Sequence, residues 1–580
     1  MLGASGTSTA TARAASWLSC AVALAAGIAQ LTVHRDALVF ESEHDWLLGH
    51  AAEVFERVEI HSSPIGPTGF DHGPLFFLLA GPLVRVLSGA EPLQIAWVLL
   101  ASLGAWLLGA AVSKRHGALA GLATTCTLVG SWFWYETCRQ LWHSSLLPLP
   151  VALFLSAAWQ HLATGRPKHL AVAGLAAAVS VQLHAQTVGL GVLTLALLVR
   201  SAWRLGWRPT LGPALVSAAA LGPAVLSAVS RLSGDAGPPV PAGPPSYGAS
   251  VQQWLPALVR LGSAPAEGSA DSMLGLCVVL LAVIGLFLAR RDALLVAMAA
   301  LGLGTFIMLV GWSDAPRYLH AVAYPLAVAA GVAAATGLPW LLERARLSAE
   351  AAERSTILLL VCGAAWAAFT PARPDATPPL LSARAQARLA VQVAEHSGEP
   401  DGAHGWYLND RGYLIGLGWF HDRAMAARPG VGEPRVKQLG VFPPEVTARV
   451  ANPEVVGGEP TPLGPLQVVL FDSAVASKSA VGRTAELAFS PWVRRRASGP
   501  FTVDAVVRSG RPSRTVFVHI RRQGEDERGC TGVAEQHGRA LPLEPIPALG
   551  RTELYGVQAA GGALTLRFAP CEEPLTVGVF

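Results

Sequence analysis

Residues 40 to 77 read FESEHDWLLGHAAEVFERVEIHSSPIGPTGFDHGPLFF, a polar and acidic stretch set between two apolar runs near the N-terminus. From Trp46 onward Leu47, Ala51, Val54, Phe55 and Val58 recur at helical spacing, while Glu53, Glu56, Arg57 and Glu59 take the other face. That pattern predicts an amphipathic helix of roughly 14 residues, too short to cross a bilayer and suited to lie in its interface. Ahead of it come Glu41, Glu43, His44 and Asp45; behind it Asp71, His72, Gly73 and Pro74 open the next apolar run. Two clusters of ionisable groups are thus delivered to one membrane boundary. Ser42 with Asp45 three residues on also resembles a capping box, so the same acids could serve a helix start.

Composition decides the environment. Of 580 residues 52% are hydrophobic and only 14% charged, far too apolar for a soluble globular chain. A net charge of +4 gives no nucleic-acid signature. Seven cysteines show no Cys-x-x-Cys or Cys/His ligand spacing, so neither a metal nor another cofactor is expected. Cys530 and Cys571 can pair if the C-terminal region lies outside the cell.

The first apolar run, Trp17 to Val33, is read as an uncleaved span, with a cleaved signal peptide as the alternative. Further runs follow at about 72–88, 93–113, 117–134, 145–163, 168–183, 185–200, 210–230, 272–290, 292–312, 318–342 and 355–371. The expected fold is therefore a mainly α, polytopic helical membrane protein of about 11–12 spans. Basic groups gather at Lys114-Arg115-His116, Arg166 to His169, Arg200 with Arg204 and Arg208, Arg290-Arg291, and Arg344 with Arg346. An even number of runs separates each successive pair, so all five share a face, cytoplasmic by the positive-inside rule. With the N-terminus inside, the acidic loop lies outside, and Lys114 joins the inner face only if one intervening run fails to cross. The run 72–88, interrupted by Gly81-Pro82 and Arg85, is the better candidate.

The Pro-rich segment 231–271 is expected to be an irregular outer loop. Residues 372–580 are charged, rich in Gly and Pro, and alternate in pattern at 501–507, 515–520 and 563–568. They are read as an extracytoplasmic domain, β-rich at least over 490–580 and mixed, compatible with α/β, over 400–480.

Four ionisable clusters fall on the deduced outer face. They are Glu43, His44, Asp45, Asp71 and His72; Glu136 to His143 with Arg139; His184 with Gln186; and Asp314 to Tyr318 with Arg317. A carboxylate can take a proton from a hydroxyl or amine, and the planar fork of Arg suits a phosphate. Taken singly, each arginine is as readily explained by snorkelling to the interface, and each histidine by a polar contact between helices.

The acidic loop after the first span, the amphipathic helix and the His72-Gly73-Pro74-Leu75-Phe76-Phe77 start of the next run resemble the GT-C superfamily of polytopic glycosyltransferases. The pattern is closest to the protein O-mannosyltransferase and lipid A aminoarabinose transferase branch, which Arg317-Tyr318 followed by Pro325 also resembles. This resemblance, over about residues 17–342, implies a polyprenyl-phosphate sugar donor, a lipid, glycan or protein acceptor, and transfer at the extracytoplasmic face of a bacterial plasma membrane. It assigns the base to Glu43, Asp45 or Asp71, since the family's Asp-Glu pair falls on Glu43-His44 or His44-Asp45 and neither register restores both acids. It places Arg139, His143, Arg317 and Tyr318 at the donor phosphate, with His44, His72, His184 and Gln186 lining the cavity. The alternatives are a secondary transporter, which would place charged or broken helices at mid-membrane, and a non-catalytic, membrane-anchored assembly or binding protein of envelope glycan synthesis.

Overall fold

The computed structural model describes residues 9–34, 38, 47–48, 51, 75–87, 90–233, 247–265, 272–310 and 319–371. Beyond these it describes 437–442, 461–463, 466–472, 475–479, 492–495, 501–507, 514–522, 532–546, 552–568 and 575–579. The described residues up to 371 belong to one compact unit and those from 437 to a second.

The first unit is helical, and each apolar run of the sequence falls on helix in it. In chain order these are α1 (Thr9–Thr32), α2 (Leu75–Val86), α3 (Ala90–His116), α4 (Ala118–Val129), α5 (Trp132–Cys138), α6 (Pro148–Thr164) and α7 (Pro167–Leu183). They continue with α8 (Val188–Leu205), α9 (Trp207–Ser233), α10 (Tyr247–Gly262), α11 (Met273–Leu288), α12 (Ala293–Val310), α13 (His320–Arg344) and α14 (Ala349–Phe369). Among the described residues six stretches are long and apolar enough to cross a membrane: Arg13–Thr32, Glu91–His116, His143–Thr164, Val188–Leu205, His320–Arg344 and Ala349–Phe369. The chain is a multi-pass membrane protein.

Local chemistry sets where the helices begin and end. Pro opens α6 and α7, where its missing N–H costs nothing. Ser131, Ser272 and Ser348 accept backbone N–H bonds at the starts of α5, α11 and α14. Gly165 closes α6 in the left-handed region, at φ 67°.

Two expectations need correction. The run 117–134 is not one helix, because Gly130 and Ser131 end α4 after 12 residues and start α5. At about 1.5 Å per residue α4 is roughly 18 Å long, short of the ~30 Å hydrocarbon layer, and so is the equally short α2. The segment 231–271 is not irregular throughout: α10 occupies Tyr247–Gly262, carries Pro256 internally, and buries Ala257, Val259 and Leu261. Over 400–480 the described residues are strands, and the rest of that stretch lies outside the described residues.

The short α4 lies at the centre of the helical unit and packs against α1, α3, α13 and α14. Nearly every residue of it is buried. On one flank α3, α6, α7, α8 and α9 follow in contact, and on the other α13 packs on α11 and α12. Small residues permit the central approaches. A Cβ at Gly331 of α13 would stand 2.6 Å from the Thr124 backbone nitrogen of α4.

Successive helices joined by short turns reverse direction, so the turns at 116–117, 165–166, 206, 289–292 and 345–348 gather at one end. These turns carry the five basic groups. Asp292, the N-cap of α12, ties three of these chain segments together. It accepts from Arg115 Nε at 2.8 Å, Trp159 Nε1 at 3.2 Å and the Leu295 N–H at 3.2 Å, with His116 Nε2 3.3 Å away. Burial opposes its charge, but the bonds from His116, Arg115, Leu295 and Trp159 outweigh that cost and hold its carboxyl well below the usual range.

The second unit is antiparallel β throughout its described part. A three-stranded sheet has Leu466–Asp472 between Lys437–Phe442 and Thr461–Leu463. One five-stranded sheet runs in the order Glu544–Ile546, Thr552–Ala559, Arg514–Arg522, Leu575–Val579, Trp492–Arg495. The other runs Val475–Ser479, Phe501–Val507, Gly562–Phe568, Gly532–Gln536, Arg539–Leu541. Among its described residues Val516, Val518, Ala534, Val557, Ala559, Leu564 and Leu566 are buried apolar ones.

Candidate functional site

Opposite the basic end, the chain breaks its helices at polar residues and buries them. After α4, Ser131 starts the two-turn α5, whose seven residues are all buried. Trp132 N–H donates to the Ser263 carbonyl at 2.6 Å, fixing α5 to the end of α10. On α5 Glu136 and Arg139 stand one turn apart, and Arg139 Nη2 lies 2.9 Å from Glu136 Oε1. Their side chains are 4% and 11% exposed. Gln140 Nε2 reaches Glu136 Oε2 at 3.4 Å, and the Arg139 guanidinium sits 5.3 Å from the Tyr135 ring centre. Arg260 of α10 stacks at 4.3 Å over Trp132 and acts electrostatically on Glu136. One buried carboxylate is thus paired with one arginine and under the electrostatic influence of a second, an arrangement with net positive charge.

His143 opens a single 3-10 turn, His143–Leu146, ahead of α6. Its ring stacks on His184 with centroids 5.3 Å apart and lies edge-on to Phe76 of α2 at 5.9 Å. His184 caps α7 in extended backbone, and a second 3-10 turn, Ala185–Thr187, leads into α8. The polar interruption seen at His184 and Gln186 is therefore a real break between two helices. Thr187 Oγ1 donates to the His184 carbonyl at 2.9 Å, and Gln186 N–H reaches His184 Nδ1 at 3.4 Å.

Gln186 lines a small, partly open cleft between α6, α8, α12 and α13, together with Thr305, His320 and Tyr324. His320 Nδ1 and Tyr324 Oη are 2.9 Å apart, and Phe133 of α5 packs edge-on against both rings, at 4.8 and 5.9 Å. On the other side of α5, His34 Nε2 lies 2.9 Å from the Ala368 carbonyl of α14 and its ring meets Tyr135 at 5.0 Å.

The structure thus brings Arg139, His143, His184 and Gln186 to one end of the helical unit, around α5. Glu43, His44, Asp45, Asp71, His72, Arg317 and Tyr318 lie outside the described residues. Of the amphipathic helix, Leu47, Leu48 and Ala51 are described; they are helical and wholly buried. Sequence reasoning did not single out His34, Arg260, His320 or Tyr324. The pair His320 and Tyr324, four apart in an apolar run, carried a signal that periodicity alone could have found.

No family model matches the sequence, and no curated protein matches it. Solved structures do. ArnT from Cupriavidus metallidurans in the apo state is similar at a TM-score of 0.50 and 16% identity, over 80% of this chain and 98% of that one. The same protein bound to undecaprenyl phosphate gives 0.44 and 17%, over 78% and 97%. Arabinosyltransferase EmbB from Mycobacterium smegmatis gives 0.39 and 11%, over 99% of this chain and 64% of that one. The likeness to apo ArnT is one of fold, and it agrees with the polytopic helical architecture that the sequence pattern led us to expect.

Proposed function

We propose that the protein is a membrane glycosyltransferase moving a sugar from a polyprenyl-phosphate donor to an acceptor at the extracytoplasmic face. The observation that carries this reading is the net-positive group of buried Glu136 and Arg139 with half-buried Arg260, at the end of the bundle opposite the basic turns, within a fold shared with ArnT. A phosphate on a lipid carrier is the anion such a site suits.

In this reading Arg139 and Arg317, with His143 and Tyr318, hold the donor phosphate, and His44, His72, His184 and Gln186 line the cavity. Asp45, Glu43 or Asp71 takes the proton from the acceptor hydroxyl or amine as its oxygen or nitrogen attacks the anomeric carbon. The bond from that carbon to the phosphate oxygen breaks, and the polyprenyl phosphate leaves with its charge neutralised by arginine. Phosphate is already a competent leaving group, so positioning and charge neutralisation supply most of the acceleration.

The test measures transfer in membranes carrying Glu43→Ala, Asp45→Ala, Asp71→Ala or Arg139→Ala, alongside mass spectrometry of lipid-linked sugars in a strain lacking the protein. Loss of the base should slow transfer by about 10² to 10⁴-fold, and a polyprenyl-phosphate sugar should accumulate in the deletion strain. Full activity in all three acid variants would sink the catalytic assignment.

A further inference from the structure

The five basic turns at the other end are not alike. Arg115 is paired with buried Asp292, and Arg354, within α14 just beyond the last turn, with Glu350. Besides the exposed pairs Arg290-Arg291 and Arg344 with Arg346, the turns α6–α7 and α8–α9 carry five exposed cations, Arg166, Lys168, Arg200, Arg204 and Arg208. No Asp or Glu occurs in the whole sequence between Glu136 and Asp235. Among the described residues none of these five cations forms an ion pair.

The two turns adjoin, since a Cβ at Gly165 would lie 3.8 Å from Leu205 Cδ2. Two tryptophans stand out from the same corner, Trp203 at 88% and Trp207 at 65% exposure. Arg208 stacks over Trp207, its guanidinium carbon 5.7 Å from the ring centre. Gly206 between them takes φ +89°, which lets α8 turn directly into α9 and sets Trp203 and Trp207 on either side of the bend.

We propose that this corner binds the headgroups of anionic phospholipids in the leaflet at the basic end of the protein. Indole rings settle at headgroup depth, where ring and N–H both find partners. Guanidinium and ammonium groups without internal counter-ions are completed by the phosphodiesters and negative surface of such a leaflet. A zwitterionic lipid offers the phosphate but no net charge to balance five cations, so the corner distinguishes phosphatidylglycerol from phosphatidylcholine.

The experiment uses the full-length protein purified in detergent, offered phosphatidylglycerol or phosphatidylcholine, with lipid retention read by native mass spectrometry. Wild type should retain phosphatidylglycerol preferentially, and Arg204→Gln/Arg208→Gln should weaken that retention about tenfold, each cation near a charged surface contributing a several-fold factor. Arg354→Gln, at the same end but already paired, should leave it unchanged. Equal retention of both lipids, a double variant that behaves as wild type, or displacement of phosphatidylglycerol by inorganic phosphate alone would overturn the proposal. Wild type also tests it without any variant: rising salt should strip phosphatidylglycerol and not phosphatidylcholine, and an absence of salt effect counts against it.

Discussion

His34 stands two residues beyond α1, where its ring nitrogen donates to the Ala368 carbonyl and its edge meets Tyr135, so one side chain ties α1, α5 and α14 at the candidate site. Burial lowers its pKa from the ordinary 6.5, and the Ala368 carbonyl only partly opposes that shift. The folded state therefore holds the ring neutral where the unfolded chain would protonate it. Stability from this residue is full above pH 6.5 and is lost as pH falls below that value. The unfolding midpoint in detergent should drop between neutral pH and about pH 5, and His34→Gln, which keeps a donor for Ala368, should drop less steeply. Parallel curves for the two proteins would count against a neutral His34. Nothing in the sequence marks this histidine, because its partners lie 101 and 334 positions away. Arg139, His143, His184 and Gln186 were legible for the opposite reason: each interrupts an apolar run, where a polar side chain needs a partner or a cavity. Arg260 was hidden by the prolines around it, which read as loop, although Pro256 sits within a helix that Trp132 and Ser263 hold against α5.

At the scale of elements, apolar runs located every membrane helix, because length and hydropathy are local properties of the chain. What they could not give is where a run breaks. Gly130-Ser131 looks no more disruptive on paper than Gly81-Pro82, yet the first ends α4 and the second lies inside α2. The difference comes from packing, since Ser131 N-caps α5, and α5 is buried against its neighbours. The same packing makes α4 the most constrained helix. Gly331 of α13 faces its backbone at Thr124, and a methyl group placed 2.6 Å from that nitrogen has no flexible side chain to displace. Gly331→Ala should destabilise the protein by about 1–3 kcal/mol, the usual cost of overpacking, seen as a lower thermal midpoint in detergent. Gly337→Ala, on the same helix with open space around it, should not destabilise it and serves as the control.

For the whole molecule, the helical unit has two chemically opposite ends, and its fold is what keeps them apart. One end gathers arginines and lysines on short turns, where Asp292 joins three of the connected segments. The other gathers buried histidines, Gln186 and the Glu136–Arg139 pair around α5. The alternation of basic turns along the sequence already implied this separation, and the hydrogen bonds across each end supply the contacts that counting could not. With a membrane between the ends, the positive-inside rule predicts that the basic one faces the cytoplasm. In a cysteine-free background, Lys168→Cys should react with a membrane-impermeant thiol reagent only after permeabilisation. Val33→Cys, exposed just past α1 at the opposite end, should react in intact cells. Labelling of both from the same side would mean that the polar end does not face outward, and the proposed chemistry would then lack both its lipid donor and its compartment.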